Sequence, residues 1–188
     1  DMTDMSLHAV NAKAAVYFEN QAQFHPMKFL KALSAKLTIY ENTPVISVKG
    51  HTVYTNSARV EADHIVFASH YPFINVPGFY FMREHQERSY VLALKNISKP
   101  AAMYYSIDKD GFSLRGYDDV LLLGGGNHRT GKKTTCKQDE TGYTFLRRIK
   151  EKYYPDAEIA AAWSAQDCMP HDDIPFIGKY SVFRPYWY

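Results

Sequence analysis

The apolar run Ile65-Val66-Phe67-Ala68 restricts the possible folds of this chain more than any other stretch. It has no polar residue at alternate positions, which is typical of a central, parallel strand with both faces buried. We therefore expect a helix on each side of it. The run ends in the segment Ser69-His70-Tyr71-Pro72, and open α/β sheets bind their ligands where strands end in such loops. The sequence thus predicts a small-molecule or cofactor site at this strand end.

A helix and a β-excursion are predicted before this run. Apolar residues recur at three- and four-residue spacing and Pro26 suits a first helical turn, so we predict a helix over residues 23–36. A strand over residues 37–41 is expected to follow it. Residues 44–60 then form a β-excursion, in which Lys49-Gly50 is the expected hairpin turn.

The second half of the chain is predicted to form an antiparallel sheet, because strands in succession with short turns pair with their neighbours. The predicted strands cover residues 87–94, 101–107, 112–115, 120–123, 158–164 and 174–177. A glycine-, lysine- and threonine-rich loop over 124–138 leads to a helix over 139–153. The expected fold class is α+β, with a mixed, largely antiparallel β-sheet flanked by helices.

Composition indicates a globular protein and excludes several classes of function. The 188 residues carry 22 Lys and Arg against 20 Asp and Glu, and a net charge of +2 gives no case for nucleic acid or for a membrane surface. No apolar run approaches the roughly 20 residues that span a bilayer. The two cysteines, Cys136 and Cys168, are too few for a disulfide framework. We therefore expect free thiols and a cytoplasmic location.

Two motifs suggest chemistry that their spacing does not support. Gly126 and Gly131 are spaced as in a phosphate-binding loop, but Lys132 is followed by Lys133 instead of Ser or Thr. A flexible flap over a site is the preferred interpretation. Four potential zinc ligands match the spacing of no known zinc finger, and we predict no metal site. These four residues are His128, Cys136, Cys168 and His171.

Hydrolase chemistry is disfavoured as well. A Ser or Cys nucleophile requires a sharp turn, and no Gly-x-Ser-x-Gly motif occurs. The adjacent acids Asp172-Asp173 suggest a carboxylate pair. Two acids before a strand are more typical of a solvated turn.

Several segments, taken in order, resemble one family of flavoenzymes. They are Gln21-Ala22-Gln23-Phe24-His25-Pro26, residues 41–44, residues 62–70, Gly126-Asn127-His128-Arg129-Thr130-Gly131, and residues 163–178 with Asp173-Ile174-Pro175-Phe176-Ile177-Gly178. They are similar to the FAD-dependent oxidoreductases of the D-amino-acid oxidase, glycine oxidase and sarcosine oxidase superfamily. The closest likeness is to a branch that sometimes carries a C-terminal Rieske iron–sulfur domain.

The resemblance implies which part of such an enzyme the chain represents. The family's glycine-rich dinucleotide fingerprint is absent here, and its C-terminal glycine-rich segment would begin just beyond Tyr188. We therefore expect an internal fragment that is inactive alone and holds FAD weakly or not at all. The implied divisions are a partial FAD-binding segment over 1–72, a substrate-binding sheet over 73–165 and a return segment over 166–188.

The resemblance also implies a reaction. Members of the family oxidise an amine or amino acid substrate by hydride transfer to FAD, and water hydrolyses the resulting imine. The implied partners are this small-molecule substrate and a Rieske domain or other electron carrier.

The residues expected at the site fall into two groups. The cofactor contacts that the resemblance implies are Val45, Ala68, Ser69, His70, Asp173 and Gly178. The polar groups expected to face the substrate are Arg88, Tyr90, His128 and Arg129. The planar fork of an arginine suits a carboxylate, although a surface charge is the alternative role for Arg88.

Two interpretations without flavin chemistry remain open at this point. One is a β-rich binding or protein-interaction domain, which a flavin spectrum would distinguish from an enzyme. The other is a structural domain whose aromatic tail, residues 183–188, docks a partner protein. A pull-down with and without the tail would test it.

Overall fold

The computed structural model describes residues 14–76, 78–108, 110–131, 142–180, 182 and 185–187. The helices are α1 (Pro26–Ser34) and α2 (Gly142–Tyr153). The strands are β1 (Val45–Lys49), β2 (Thr52–Thr55), β3 (Arg59–Glu61), β4 (Ile65–Val66), β5 (Glu84–Lys95), β6 (Tyr104–Tyr105), β7 (Phe112–Tyr117), β8 (Val120–Arg129), β9 (Glu158–Pro170) and β10 (Tyr186–Trp187).

The described residues divide into two compact units. Ser69–Phe176 form the sheet unit, and Ala14–Ala68 with Ile177–Tyr188 form the excursion unit. Across the described ranges, we find no helix with the length and apolar character that crossing a membrane requires.

A five-stranded antiparallel sheet organises the sheet unit, with the strand order β6-β7-β8-β5-β9. β5 pairs with β8 along one edge and with β9 along the other. Both β5, with 12 residues, and β9, with 13, are longer than predicted. The prediction of an α+β fold with a largely antiparallel sheet is confirmed.

Helix α2 covers one face of this sheet and forms the hydrophobic core with it. Five leucines of this core are fully buried, at 0% exposure: Leu92, Leu94, Leu121, Leu123 and Leu146. Because side chains alternate across a strand, the leucines of β5 and β8 share the face towards α2. Burying each of them contributes about 1.5–3 kcal/mol, so the core fixes which face of the sheet the helix covers.

The glycine-rich segment that was predicted to be a loop continues β8 instead. The ladder with β5 extends to Arg129, with a bulge near Gly126, whose φ is +68°. A Cβ atom at Gly126 would lie 2.6 Å from Cα of Gly142, so this glycine allows α2 to begin close against the strand. The loop prediction is wrong up to Arg129 because these glycines form a bulge and a close backbone contact. Residues 132–141, with the predicted start of the helix, lie outside the described ranges.

In the excursion unit, α1 and the three-stranded antiparallel sheet β1-β2-β3 follow the prediction. His25 caps α1, since its Nδ1 accepts a hydrogen bond from the Lys28 amide at 3.4 Å. Residues 37–41 form no strand, because they have no ladder partner within the described ranges.

The apolar run forms a shorter strand than predicted. β4 pairs in parallel with β10, which confirms the parallel orientation. Ile65 and Phe67 are 9% and 8% exposed, whereas Val66 is 68% exposed. Burial of both faces is therefore wrong for the described residues: one face packs on aromatic rings, such as Tyr186 at 5.4 Å from Phe67, and the other is open.

Residues 174–177 were predicted to form a strand and do not. The Ile174 amide donates a hydrogen bond to Oδ1 of Asp172 at 3.2 Å, and Pro175 has no amide hydrogen to donate. A local turn therefore replaces the ladder that a strand needs.

Candidate functional site

Two predicted cofactor residues lie next to the end of the parallel strand pair. Ala68 follows Phe67, whose amide donates a hydrogen bond to the Trp187 carbonyl at 2.8 Å. Gly178 precedes Lys179, which forms an antiparallel bridge with Trp187. Apart from its two chain neighbours, no described residue lies within 4 Å of the position that a Cβ atom of Gly178 would occupy. Ala68 and Gly178 are therefore each next in sequence to a residue that pairs with Trp187. The backbone at Gly178 is left open.

Open backbone at the carboxyl end of parallel strands is where α/β proteins bind nucleotide cofactors. The space at Gly178 allows such a group to approach the main chain closely. These residues therefore fit FAD. The third predicted residue of this unit, Val45, lies at the start of β1, in the antiparallel sheet, and is 42% exposed.

The other three predicted cofactor residues belong to the sheet unit. His70 has φ +67°, and its Nε2 donates a hydrogen bond to the Gln166 carbonyl of β9 at 2.9 Å. The Ser69 hydroxyl donates to the Tyr71 carbonyl at 3.0 Å. Asp173 has φ +58°, and its amide donates to the Pro170 carbonyl at 3.2 Å. His70 is thus tied directly to the sheet.

The four predicted substrate residues are divided between the two faces of the sheet. Tyr90 belongs to the core at 7% exposure, and its ring stacks on His128 with 5.7 Å between centroids. Arg88 stands on the same face, where its Nη1 donates a hydrogen bond to Oγ of Ser164 at 2.8 Å. Arg129 follows His128 in β8 and so faces the opposite way. The structure brings three of the four together, on the face towards α2.

The opposite face carries a shallow cavity of about 310 Å³. Alternate residues of the central strands line it, together with the segment around β6: Val91, Met103, Tyr105, Ser113, Arg115 and Leu122. Trp163 of β9 pairs in register with Val91 and is 42% exposed. Apolar and aromatic surface therefore remains accessible on this face, while α2 lies on the other.

A row of charged residues crosses three strands on the same face as the cavity. Glu87 of β5 is in register with Arg129 of β8 and with Asp167 of β9. The Ser89 hydroxyl donates to Oδ2 of Asp167 at 3.3 Å, and His85 Nε2 lies 3.2 Å from Oε1 of Glu87. Sequence reasoning named Arg129 as a candidate and did not name the two acids. Only the pairing register, which joins strands far apart in sequence, could have revealed them.

The face towards α2 also holds a buried acid beside a thiol. Glu84 is 4% exposed, and its Oε2 accepts a hydrogen bond from Sγ of Cys168 at 3.0 Å. Burial, followed by the hydrogen bond to Glu84 and the charge of that carboxylate, raises the pKa of the Cys168 thiol to about 12. Burial likewise raises the pKa of Tyr71, with smaller contributions from Glu84 and Cys168.

Potential metal ligands do not converge in the described ranges, where no group of three or more His, Cys, Asp and Glu side chains is arranged to hold an ion. Among the residues considered as zinc ligands, His128 stacks on Tyr90 and Cys168 bonds to Glu84. Cys136 lies outside the described residues.

Solved structures with a similar fold include two enzymes. Glycine oxidase from Geobacillus kaustophilus superposes with a TM-score of 0.62 at 20% identity, over 83% of this chain and 44% of that chain. L-proline dehydrogenase from P. horikoshii superposes with a TM-score of 0.64 at 16% identity, over 84% of this chain and 46% of that chain. The chain thus spans less than half the length of these enzymes.

Sequence comparison assigns the family. A curated relative, the "Putative Rieske 2Fe-2S iron-sulfur protein YhfW" of Bacillus subtilis (strain 168), is 36% identical over 92% of this chain. The match spans 36% of the relative, about a third of its length. The FAD-dependent oxidoreductase (DAO) family matches residues 3–188. The chain therefore belongs to the family of FAD-dependent oxidoreductases.

Proposed function

We propose that this chain supplies the substrate-bearing sheet and part of the FAD site of an enzyme that oxidises an amine or amino acid by hydride transfer. The observation that carries this proposal is the sheet face opposite α2. That face combines a cavity of about 310 Å³ with the charged row Arg129, Glu87 and Asp167. Ligand sites typically combine concave apolar surface with a few convergent polar groups.

Arg129 is the proposed anchor for a substrate carboxylate. Its guanidinium offers two parallel hydrogen bonds, and its strand position places it on the same face as the cavity. Glu87 and Asp167 would favour a cationic amine beside it. Such a row suits a zwitterionic amino acid, and two structural neighbours are named for glycine and for L-proline.

Arg88, Tyr90 and His128 would act on this site indirectly. They stand on the face that packs against α2, where the Tyr90 ring is part of the core. The hydrogen bond from Arg88 to Ser164 joins β5 to β9 and so supports the register on which the charged row depends. We propose that these three residues shape the strands that carry Arg129.

FAD, when bound, supplies the acceptor for the hydride. The residues proposed to contact it are Val45, Ala68, Ser69, His70, Asp173 and Gly178. The open backbone at Gly178 and the parallel strand end beside Ala68 support this role. The sheet would hold the reacting carbon of the substrate in place and exclude water from it. The protein would thus contribute to the reaction by positioning the substrate.

We further propose that a Rieske-type iron–sulfur domain or a similar carrier accepts the electrons, because the curated relative carries that name. A cytoplasmic location belongs to the same proposal and is supported by the free thiol of Cys168.

Substrate-dependent flavin bleaching tests the proposal. The protein at its full natural length is purified, its flavin spectrum is recorded, and anaerobic bleaching is followed with a panel of amines and amino acids. Arg129→Met should raise KM for substrates that carry a carboxylate more than for simple amines. Arg147→Met, at an exposed position of α2 on the other face of the sheet, is the matched control and should change KM much less. A protein that binds no flavin would refute the proposed FAD site. Equal changes in KM for the two substitutions would refute the proposed role of Arg129.

A further inference from the structure

The segment that carries Asp173, residues 171–176, contacts the rest of the sheet unit mainly near its two ends. Along residues 171–176, every residue is exposed except Phe176, which is half-buried. At the start of the segment, the His171 amide donates a hydrogen bond to the Arg83 carbonyl at 3.0 Å. Residues 174–176 form no strand. At this end of the segment, the half-buried side chain of Phe176 therefore provides the attachment.

Two side chains from the turn before β5 contact the Phe176 ring. The guanidinium carbon of Arg83 lies 4.4 Å from the ring centroid, which is cation–π geometry. Tyr80 meets the same ring edge-on, with 5.4 Å between centroids and an interplanar angle of 70°. We call these three residues the Phe176 clamp.

The clamp includes a buried aromatic residue. Tyr80 is 6% exposed, and its ring lies against the Gly78 backbone, where an added Cβ atom would overlap it. The Arg83 amide donates a hydrogen bond to the Tyr80 carbonyl at 2.8 Å. Arg83 therefore holds the segment twice, with its carbonyl at His171 and with its guanidinium at Phe176.

The backbone between these two attachments has an uncommon conformation. Asp173 has φ +58°, in the left-handed region, which aspartate tolerates better than most residues but which costs an L residue about 1–2 kcal/mol. The attachments at His171 and Phe176 bracket this residue. If one attachment were lost, the segment would relax towards conformations in which the Asp173 carboxylate and backbone point elsewhere.

We propose that Arg83 is a positioning residue for FAD, acting through Phe176 on the conformation of Asp173. The inference rests on the proposed function, because it takes Asp173 as a cofactor contact. Arg83 itself touches neither cofactor nor substrate in this assignment. Its role depends on the planar guanidinium, which lies flat on a ring in a way that a lysine ammonium does not.

The first test needs no FAD and uses hydrogen exchange of the flavin-free, full-length protein. Arg83→Met should speed amide exchange over residues 171–176, whereas Arg83→Lys should be intermediate. The matched control is Arg148→Met, which removes another arginine that lies over an aromatic ring, at 5.6 Å from Phe145 in α2. Exchange over 171–176 should stay unchanged in this control. If Arg83→Met leaves exchange there at the wild-type rate, the clamp does not hold the segment and the inference fails.

The second test measures FAD affinity by flavin fluorescence quenching. Arg83→Met removes this cation–π contact, and we expect the dissociation constant of FAD to rise by about 2- to 30-fold. Phe176→Leu should weaken FAD to a similar degree, Phe176→Tyr should restore it, and the double variant Arg83→Met/Phe176→Leu should be no worse than either single variant. Affinity within twofold of the wild type in Arg83→Met, or an equal loss in Arg148→Met, would overturn the inference. A wild-type protein without FAD affinity would instead refute the proposed function, while the exchange result would still stand.

Discussion

Cys168 donates a hydrogen bond from its thiol to the buried carboxyl group of Glu84, with 3.0 Å between Sγ and Oε2. The contact joins the first residue of β5 to β9 across the sheet. Burial raises the pKa of this thiol to about 12. Because the thiolate is the reactive form, Cys168 should be chemically inert in the folded protein.

The reactivity of Cys168 towards an aromatic disulfide reagent at pH 8 should therefore be low. In a Cys136→Ala background, which leaves Cys168 as the one thiol, the folded protein should react at least tenfold more slowly than the urea-unfolded protein. Glu84→Gln should speed the reaction by weakening the hydrogen bond that favours the neutral thiol. Equal rates for folded and unfolded protein would contradict the burial of this group.

The same thiol should make stability fall at alkaline pH. The unfolded thiol loses its proton near 9.0 and the folded one near 12, so between these values the unfolded state binds fewer protons than the folded state. The stabilising effect is thus complete below about pH 9 and is lost as the pH rises towards 12. The difference in unfolding free energy between the wild type and Cys168→Ser, measured by urea denaturation from pH 8 to 10.5, should shrink steadily. A constant difference would show that Cys168 ionises normally.

Gly126→Ala should destabilise the sheet unit strongly. The left-handed conformation costs a side chain about 1–2 kcal/mol, and the new Cβ would also lie 2.6 Å from the backbone of Gly142. Gly50→Ala is the matched control, since Gly50 has φ +57° but, apart from its chain neighbours, no described residue within 4 Å of the added carbon. Urea denaturation should show a larger loss for Gly126→Ala. Equal losses would mean that α2 moves away from β8 without cost.

Leu92→Ala should lower the free energy of unfolding by about 2–5 kcal/mol, because Leu92 is fully buried between the sheet and α2. Ile107→Ala, at a residue that is 95% exposed, should change it by less than about 0.5 kcal/mol. Thermal and urea unfolding measure both values. A small effect at Leu92 would place the core elsewhere.

Local sequence patterns were sufficient for several elements. The spacing of apolar residues and Pro26 located α1, and the turn signal at Lys49-Gly50 located the hairpin of β1 and β2. These features succeeded because they depend on residues a few positions apart. Strands β5, β7, β8 and β9 were also found, although each was predicted too short. The strand predicted over 101–107 was too long, since β6 has only two residues, and β10 was not predicted.

Local patterns failed where contacts between residues far apart in sequence determine the secondary structure or the burial of a residue. Gly126 resembles a loop residue in sequence, yet contact with Gly142 makes it part of a strand. Residues 174–177 have strand-forming side chains, but a turn at Asp172 and the absence of a ladder partner prevent a strand. Val66 stands in a run that suggested burial on both faces and is exposed.

The site shows the same division. Residue types alone suggested Arg88, His128 and Arg129 as polar groups for a substrate, which stays a prediction. The resemblance to a flavoenzyme family is confirmed by the family match over residues 3–188. The sequence positions of the three polar residues left open which face each would occupy, because β5 carries apolar residues at five successive positions, 90–94, and so has no visible alternation. Packing of α2 on one face and pairing of β5 with β8 and β9 settled the matter. Burial free energy and strand register depend on contacts between segments that are far apart in sequence. The folded chain therefore places Arg129 on one face of the sheet with Glu87 and Asp167, and Arg88 on the other face.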